Sequence, residues 1–247
     1  MAALTLITHI PHAYLLRVFY FLPWQPVWIG LGTTIIANSV PFYFLRRRNA
    51  HNTKDTSALA VANDTQIEYT VGLVAAAMYA IPVVASMTSW LPVHLATYFS
   101  GLRTLEPAHT AVFWWMLVGL LPLGWAARNF FFYPLANTNA ITLVNKASLA
   151  YSGHEKVAVL EFDPETATLT QTIHRNVFWH RYLPPRTQEL LRRTMLATAW
   201  TVANTAFKAY VEVDGAELPG ALGWGGVWGS GTVLAAGMLG WIAGVSV

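Results

Sequence analysis

Residues 24–45 read Trp-Gln-Pro-Val-Trp-Ile-Gly-Leu-Gly-Thr-Thr-Ile-Ile-Ala-Asn-Ser-Val-Pro-Phe-Tyr-Phe-Leu, and Arg46-Arg47-Arg48 follow. A helix of this length rises about 1.5 Å per residue and so covers about 30 Å of hydrocarbon. The stretch carries no charge, and its basic end suits the polar side of a bilayer. No small-residue cleavage site follows the arginines, so the segment reads as a retained helix and not as a removed signal peptide. Tyr14 to Leu22, just before it, reads as lying in the interface.

Three further segments, 69–90, 110–127 and 222–247, have the same character. A weaker span, 194–211, is rich in Ala and Thr with Asn204 and Lys208 inside it, and should face other helices and not lipid. The expected fold is therefore an all-α integral membrane helical bundle. It is one domain of about five transmembrane helices, with a range of about four to seven. Residues 91–109 mix Pro92, His94, Arg103 and Pro107 with apolar residues, which suits an interfacial or re-entrant segment. The 136–193 stretch is polar. Within it, residues 156–162 and 167–173 flank Asp163-Pro164-Glu165-Thr166, which predicts a small extramembrane β-hairpin.

Composition supports the bilayer as solvent. Of 247 residues, 55% are hydrophobic and only 11% charged, and the mean hydropathy is +0.41. A typical soluble domain carries about 25% charged residues. The 11 Trp, 10 Tyr and 12 Phe suit the headgroup level, where one ring edge is wet and the other apolar. The absence of cysteine excludes disulfides, thiolate metal sites and a cysteine nucleophile. A net charge of +3, scattered among apolar segments, points to loops facing anionic lipid and gives no nucleic-acid footprint.

Lys and Arg resist translocation, so Arg46, Arg47, Arg48 and Lys54 place the first loop in the cytoplasm. The basic 136–193 loop agrees, and the acidic 212–220 connection falls on the other side. A multi-pass protein of the endoplasmic reticulum with a cytoplasmic C-terminus is expected. The sequon Asn63-Asp64-Thr65 points the other way, being usable only in a luminal loop.

Chemistry is sought among the acids at the helix ends, because a desolvated carboxyl is costly to keep. Asp64 and Glu68 lie four apart at the entry to the 69–90 segment, with Arg128 and Asn129 on the same expected side. A carboxylic acid kept neutral there would protonate an alkene or epoxide, whereas a solvated acid at a helix start would merely favour the dipole. A second group joins Arg103, Glu106 and His109, facing Asp214 and Glu217. Glu106 and His109 can share a proton, or form an ordinary interfacial ion pair. Trp114, Trp115, Trp224 and Trp228 suit either a cation-stabilising pocket or a membrane belt. His9/His12 and His174/His180 are the closest histidine pairs. Neither spacing makes a ligand cluster, so no metal or cofactor is expected. Gly225/Gly229 and Gly240/Gly244 have the spacing that lets two helix backbones approach closely, and so either offer a face for a helix partner or merely fit a crowded bundle.

Phe162-Asp-Pro-Glu-Thr-Ala-Thr-Leu-Thr-Gln-Thr172, with Val213-Asp-Gly-Ala-Glu-Leu-Pro-Gly-Ala-Leu222 and the glycine-rich last segment, resembles small polytopic membrane proteins of filamentous fungi. These are associated with secondary-metabolite gene clusters. In size, hydrophobicity and the placing of Glu68 and Asp214, the chain is distantly similar to the membrane-bound meroterpenoid cyclases. It differs in showing about five segments against about seven, and in placing Glu68 and Asp214 on opposite faces. The resemblance implies cofactor-free cyclase or isomerase chemistry on a lipophilic isoprenoid or polyketide-derived substrate. A non-catalytic scaffold, assembly factor or carrier is the alternative, with the 136–193 loop as its partner surface.

Overall fold

The computed structural model describes residues 2–45, 65–133 and 185–243. Within them lie α1 (Ala2–Val18), α2 (Trp24–Leu45), α3 (Thr65–Thr88), α4 (Leu91–Tyr98), α5 (Glu106–His109), α6 (Phe113–Gly119), α7 (Leu121–Ala127), a π-helical turn (Arg128–Phe132), α8 (Pro185–Glu212) and α9 (Leu218–Ile242). Prolines stand in the first turn of α4, α5, α7 and α9, where the missing N–H is no loss and the fixed φ suits the helix.

The long helices form a closed set of neighbours. α9 packs on α8 and α3, α3 on α7, and α1 closes the arrangement by packing on both α7 and α8, while α2 lies against α1. The core consists of apolar side chains from α1, α3, α7, α8 and α9 among others, including Ile7, Leu15, Tyr79, Val83, Leu123, Trp224 and Trp228. Tyr14 joins Trp224 and Trp228 at ring separations of 6.1 and 5.7 Å, and the Trp224 indole N–H donates to the Pro11 carbonyl over 3.2 Å.

Glycine decides how closely α9 is approached. A β-carbon at Gly229 would stand 2.5 Å from Val202 Cγ2 of α8, and one at Gly225 would stand 2.9 Å from the Val202 carbonyl oxygen. One at Gly240 would collide with Leu190, and one at Gly231 would meet the Tyr79 ring of α3 at 2.7 Å. The helix face expected to seek a neighbour thus meets α8 of its own chain; Gly244 lies outside the described residues. The 213–217 connection turns at Gly215, whose φ of +74° is a conformation that L side chains rarely adopt. It is tied to the end of α4 by Ser100 N–H to Gly215 O at 3.0 Å and Glu217 N–H to Tyr98 O at 2.9 Å.

The structure corrects the expected architecture. A bundle of about five transmembrane spans is not supported. Among the described residues one helix, Gln66–Thr88, is long and apolar enough to cross a membrane, and half of its most apolar window is buried. The 110–127 segment is no continuous span, because it breaks at Leu120 ahead of Pro122 into two seven-residue helices. α2 and α9 have the length, but Gln, Asn, Ser and Thr dilute the first and Gly and Trp the second; α8 carries Arg192, Arg193, Lys208 and Glu212. The described residues contain no β-hairpin, and 156–162 and 167–173, where it was expected, lie outside them; the described pairing is a single bridge between Phe99 and Ala216. The N-terminal segment is also more than an interfacial stretch. It is the helix α1, with Ile7, Leu15 and neighbouring Phe19 in the core.

Gly229→Leu should cost about 1–3 kcal/mol by overpacking, because its side chain must displace Val202. Gly237→Ala, with nothing within 4 Å, should leave stability unchanged or slightly raised through helix propensity. Thermal unfolding of both variants in detergent checks the contrast.

Candidate functional site

In α1, Thr5, Thr8, His9 and His12 recur at three- and four-residue spacing, and in α8 Thr201, Asn204, Thr205, Lys208 and Glu212 do the same. Such spacing puts each set on one helix face. The two faces meet, with the helices side by side and running the same way. Asn204 Nδ2 donates to the Thr8 carbonyl over 2.8 Å, and the Thr8 hydroxyl lies 2.8 Å from His9 Nδ1. One turn further on, His12 Nε2 stands 2.7 Å from Glu212 Oε2, and Lys208 Nζ stands 3.6 Å from the other carboxylate oxygen.

The environment is graded. His12 is 5% exposed, whereas the Glu212 side chain is 47% exposed. Burial pushes the His12 imidazole below its usual pKa, against the opposing pull of Glu212, and Lys208 adds to the lowering. His9 is lowered to about 4, first by burial and then by Lys208 and His12. Burial thus favours the neutral form of both rings. A neutral His12 beside a carboxylate carries its proton on Nε2 and donates it, which leaves buried Nδ1 as an acceptor with no partner among the described residues.

A cavity of about 350 Å³ opens against this pair. Its polar wall is His9, His12, Lys208 and Glu212. Its opposite wall, from Leu16 of α1 and Pro26, Val27, Gly30 and Leu31 of α2, is apolar apart from Thr33 and Thr34. A volume of several hundred Å³, mostly apolar with a few convergent polar groups, is the usual form of a small-molecule site. Among the described residues no three His, Asp or Glu side chains are grouped to hold a metal ion.

The residues singled out from sequence lie elsewhere. Glu68 accepts hydrogen bonds from Arg128 Nη1 and, over 3.1 Å, from Trp125 Nε1. Arg128 is 1% exposed; its Nη2 donates to the Tyr133 hydroxyl over 2.6 Å, and its guanidinium lies 4.5 Å over the Tyr133 ring. Glu68 is thus the counter-charge of a buried cation, a role that needs a carboxylate and not a neutral acid. Asp64 lies outside the described residues. Glu106 and His109 are exposed on α5, and Asp214 is exposed beside Gly215. The turn after α4 and the 213–217 connection do meet, but through backbone hydrogen bonds. Among the described residues no ion pair joins Arg103, Glu106, His109, Asp214 or Glu217. Trp114 and Trp115 point outward, whereas Trp224 and Trp228 are buried.

His12, Lys208 and Glu212 were not grouped from sequence because nearly two hundred residues separate them. The available signal was the helical spacing of polar residues inside two otherwise apolar segments. Comparison of the chain with protein-family models, curated proteins and solved structures found no match.

If Glu68 neutralises Arg128, Glu68→Gln should lower the thermal midpoint, and Glu68→Gln with Arg128→Met should recover part of the loss. A differential scan of the three proteins in detergent measures this. Acid should weaken the fold through His9. Its native pKa of about 4 lies below the unfolded value of 6.5, so between these limits the unfolded chain binds more protons. Stability is then fully present above about pH 6.5 and falls as pH drops towards 4. His9→Gln should flatten that slope in thermal midpoints measured from pH 7 to 4.5.

Proposed function

We propose that this chain is a lipid-embedded enzyme that rearranges a lipophilic molecule by acid–base chemistry at His12 and Glu212. The observation that carries the reading is the 2.7 Å contact between them at the edge of a cavity with one polar and one apolar wall. A substrate held there would lie with its hydrocarbon against α2 and its polar end at the pair.

The membrane reading is supported by the outward faces. Phe44 and Trp115 are each 79% exposed, and Trp28, Ile36, Met195, Trp200 and Phe207 also point outward. Monomeric soluble proteins rarely carry contiguous apolar patches beyond a few hundred Å². Lipid is a natural solvent for such a surface, with Gln66–Thr88 as the crossing helix. A carboxylate and an ammonium set among such helices are expensive to retain and point to function.

Glu212 is the group placed to take the proton. His12, through Nε2–H, orients the carboxylate and stabilises its charged form, and Lys208 adds a positive charge on the other oxygen. The same carboxyl can return the proton to a different carbon, and nothing in the cycle is oxidised or reduced. The reaction class is therefore isomerisation or cyclisation. The distant resemblance to cyclases of fungal secondary metabolism supports an isoprenoid or polyketide-derived substrate.

Isomers share a mass, which makes the test direct. Replacing the native copy by Glu212→Gln in the producing cell should lower one lipophilic product by about 10²–10⁴ and accumulate a precursor of identical mass. An unchanged lipophilic extract, with the variant present at the native level, would leave a non-catalytic scaffold or carrier as the better reading.

A further inference from the structure

Lys208 stands on the same wall as Glu212, one helical turn before it. Its Nζ is 3.6 Å from Glu212 Oε1, too long for a strong hydrogen bond, and its side chain is 26% exposed. The ammonium carries three donors, so it has donors to spare towards the cavity it lines.

The charges on this wall select the kind of group it takes. Among the described residues Lys208 is its one fixed cation. Glu212 supplies an anion next to it, and His9, lowered to about 4, supplies no second positive charge at neutral pH. A phosphate or carboxylate headgroup would gain Lys208 but meet the Glu212 carboxylate. A carbonyl oxygen meets no such repulsion and accepts directly from the ammonium.

We infer that the cavity takes an apolar β,γ-unsaturated ketone, with its carbonyl oxygen on Lys208 and the adjacent C–H, between carbonyl and double bond, on Glu212. This assignment rests on the acid–base reading above and names its substrate class. A proton passes from the carbon beside the carbonyl to a Glu212 oxygen. The C–H electron pair becomes a C=C bond, and the carbonyl π pair moves onto oxygen, giving an enolate beside Lys208. When Glu212 returns the proton to a carbon further along the conjugated system, the carbonyl re-forms and the double bond has moved. Lys208 thereby acts where negative charge develops, which is where a fixed cation stabilises a transition state.

The test uses the full chain in detergent with 2-tetralone, carbon-13 labelled at the carbonyl, and reads its carbonyl stretch by difference infrared spectroscopy. Saturable binding with a stretch lowered from the value in plain micelles is expected for the native chain and for Glu212→Gln. Lys208→Met should lose the shift and weaken binding by about tenfold or more, and Lys208→Arg should restore part of both. An equal shift in Lys208→Met, no saturable binding to the native chain, or tighter binding of decanoate than of 2-tetralone would each overturn the assignment. Failure here leaves the Glu212→Gln metabolite result standing. An unchanged extract with intact tetralone binding would instead sink the reading on which the assignment rests.

Discussion

The close approach of α9 to its neighbours is the constraint on which the rest of the arrangement depends. Helices approach each other most closely where one backbone carries no side chain. α9 has such positions towards α8 at Gly225, Gly229 and Gly240, and towards α3 at Gly231. The same helix turns its large residues, Trp224 and Trp228, into the core against Tyr14 and Phe19 of the N-terminal segment. Small residues on one side and indoles on another fix both the distance and the rotation of α9. α8 is thereby set against α1, and with it the row that ends at Lys208 and Glu212.

That row is the polar exception in an otherwise apolar assembly. Buried polar groups cost free energy unless they find partners, and the α1–α8 seam provides several. Asn204 caps the Thr8 carbonyl, Thr8 approaches His9, and His12 reaches Glu212. Some groups are left over: Thr201 Oγ1, Thr205 Oγ1 and His12 Nδ1 are buried without a partner among the described residues. A seam of this kind fixes the relative rotation of two helices, because any other rotation would separate its polar groups from their partners. It also grades the dielectric, from buried His12 to half-exposed Glu212, and so favours the neutral imidazole beside a carboxylate that stays open to the cavity.

Glu68 and Arg128 show how similar residue types serve packing. Arg128 lies in a π-helical turn, where its guanidinium is enclosed and held by Glu68 and Tyr133. An enclosed cation without a counter-charge is strongly unfavourable, so this pair ties the start of α3 to the end of α7. The carboxylate that looked desolvated from its place at the edge of an apolar helix is neutralised by a residue sixty positions away. The sequence suggested the neighbourhood of Glu68 and Arg128, but their contact gives the carboxylate a structural partner.

Amino-acid order by itself marked four of the helical segments, though neither α1 nor residues 185–193 at the start of α8, which read as part of the polar 136–193 loop. The 24–45, 69–90, 194–211 and 222–247 stretches all lie in or largely within helices, because apolar length, Pro at first turns and Gly or Pro at breaks are local signals. It also showed the glycine spacing of the last segment, a property of that helix alone, while the structure decided that Gly225, Gly229 and Gly240 meet α8. The break of the 110–127 segment at Leu120 has a local cause in Pro122, whereas the burial of α1 was decided by packing against α7 and α8. The site was decided there too. His12 and Glu212 have no sequence relation to each other. Only the rotation of α1 against α8 turns two polar stripes towards each other, because the pairing energy of buried polar groups depends on which side chains face across an interface.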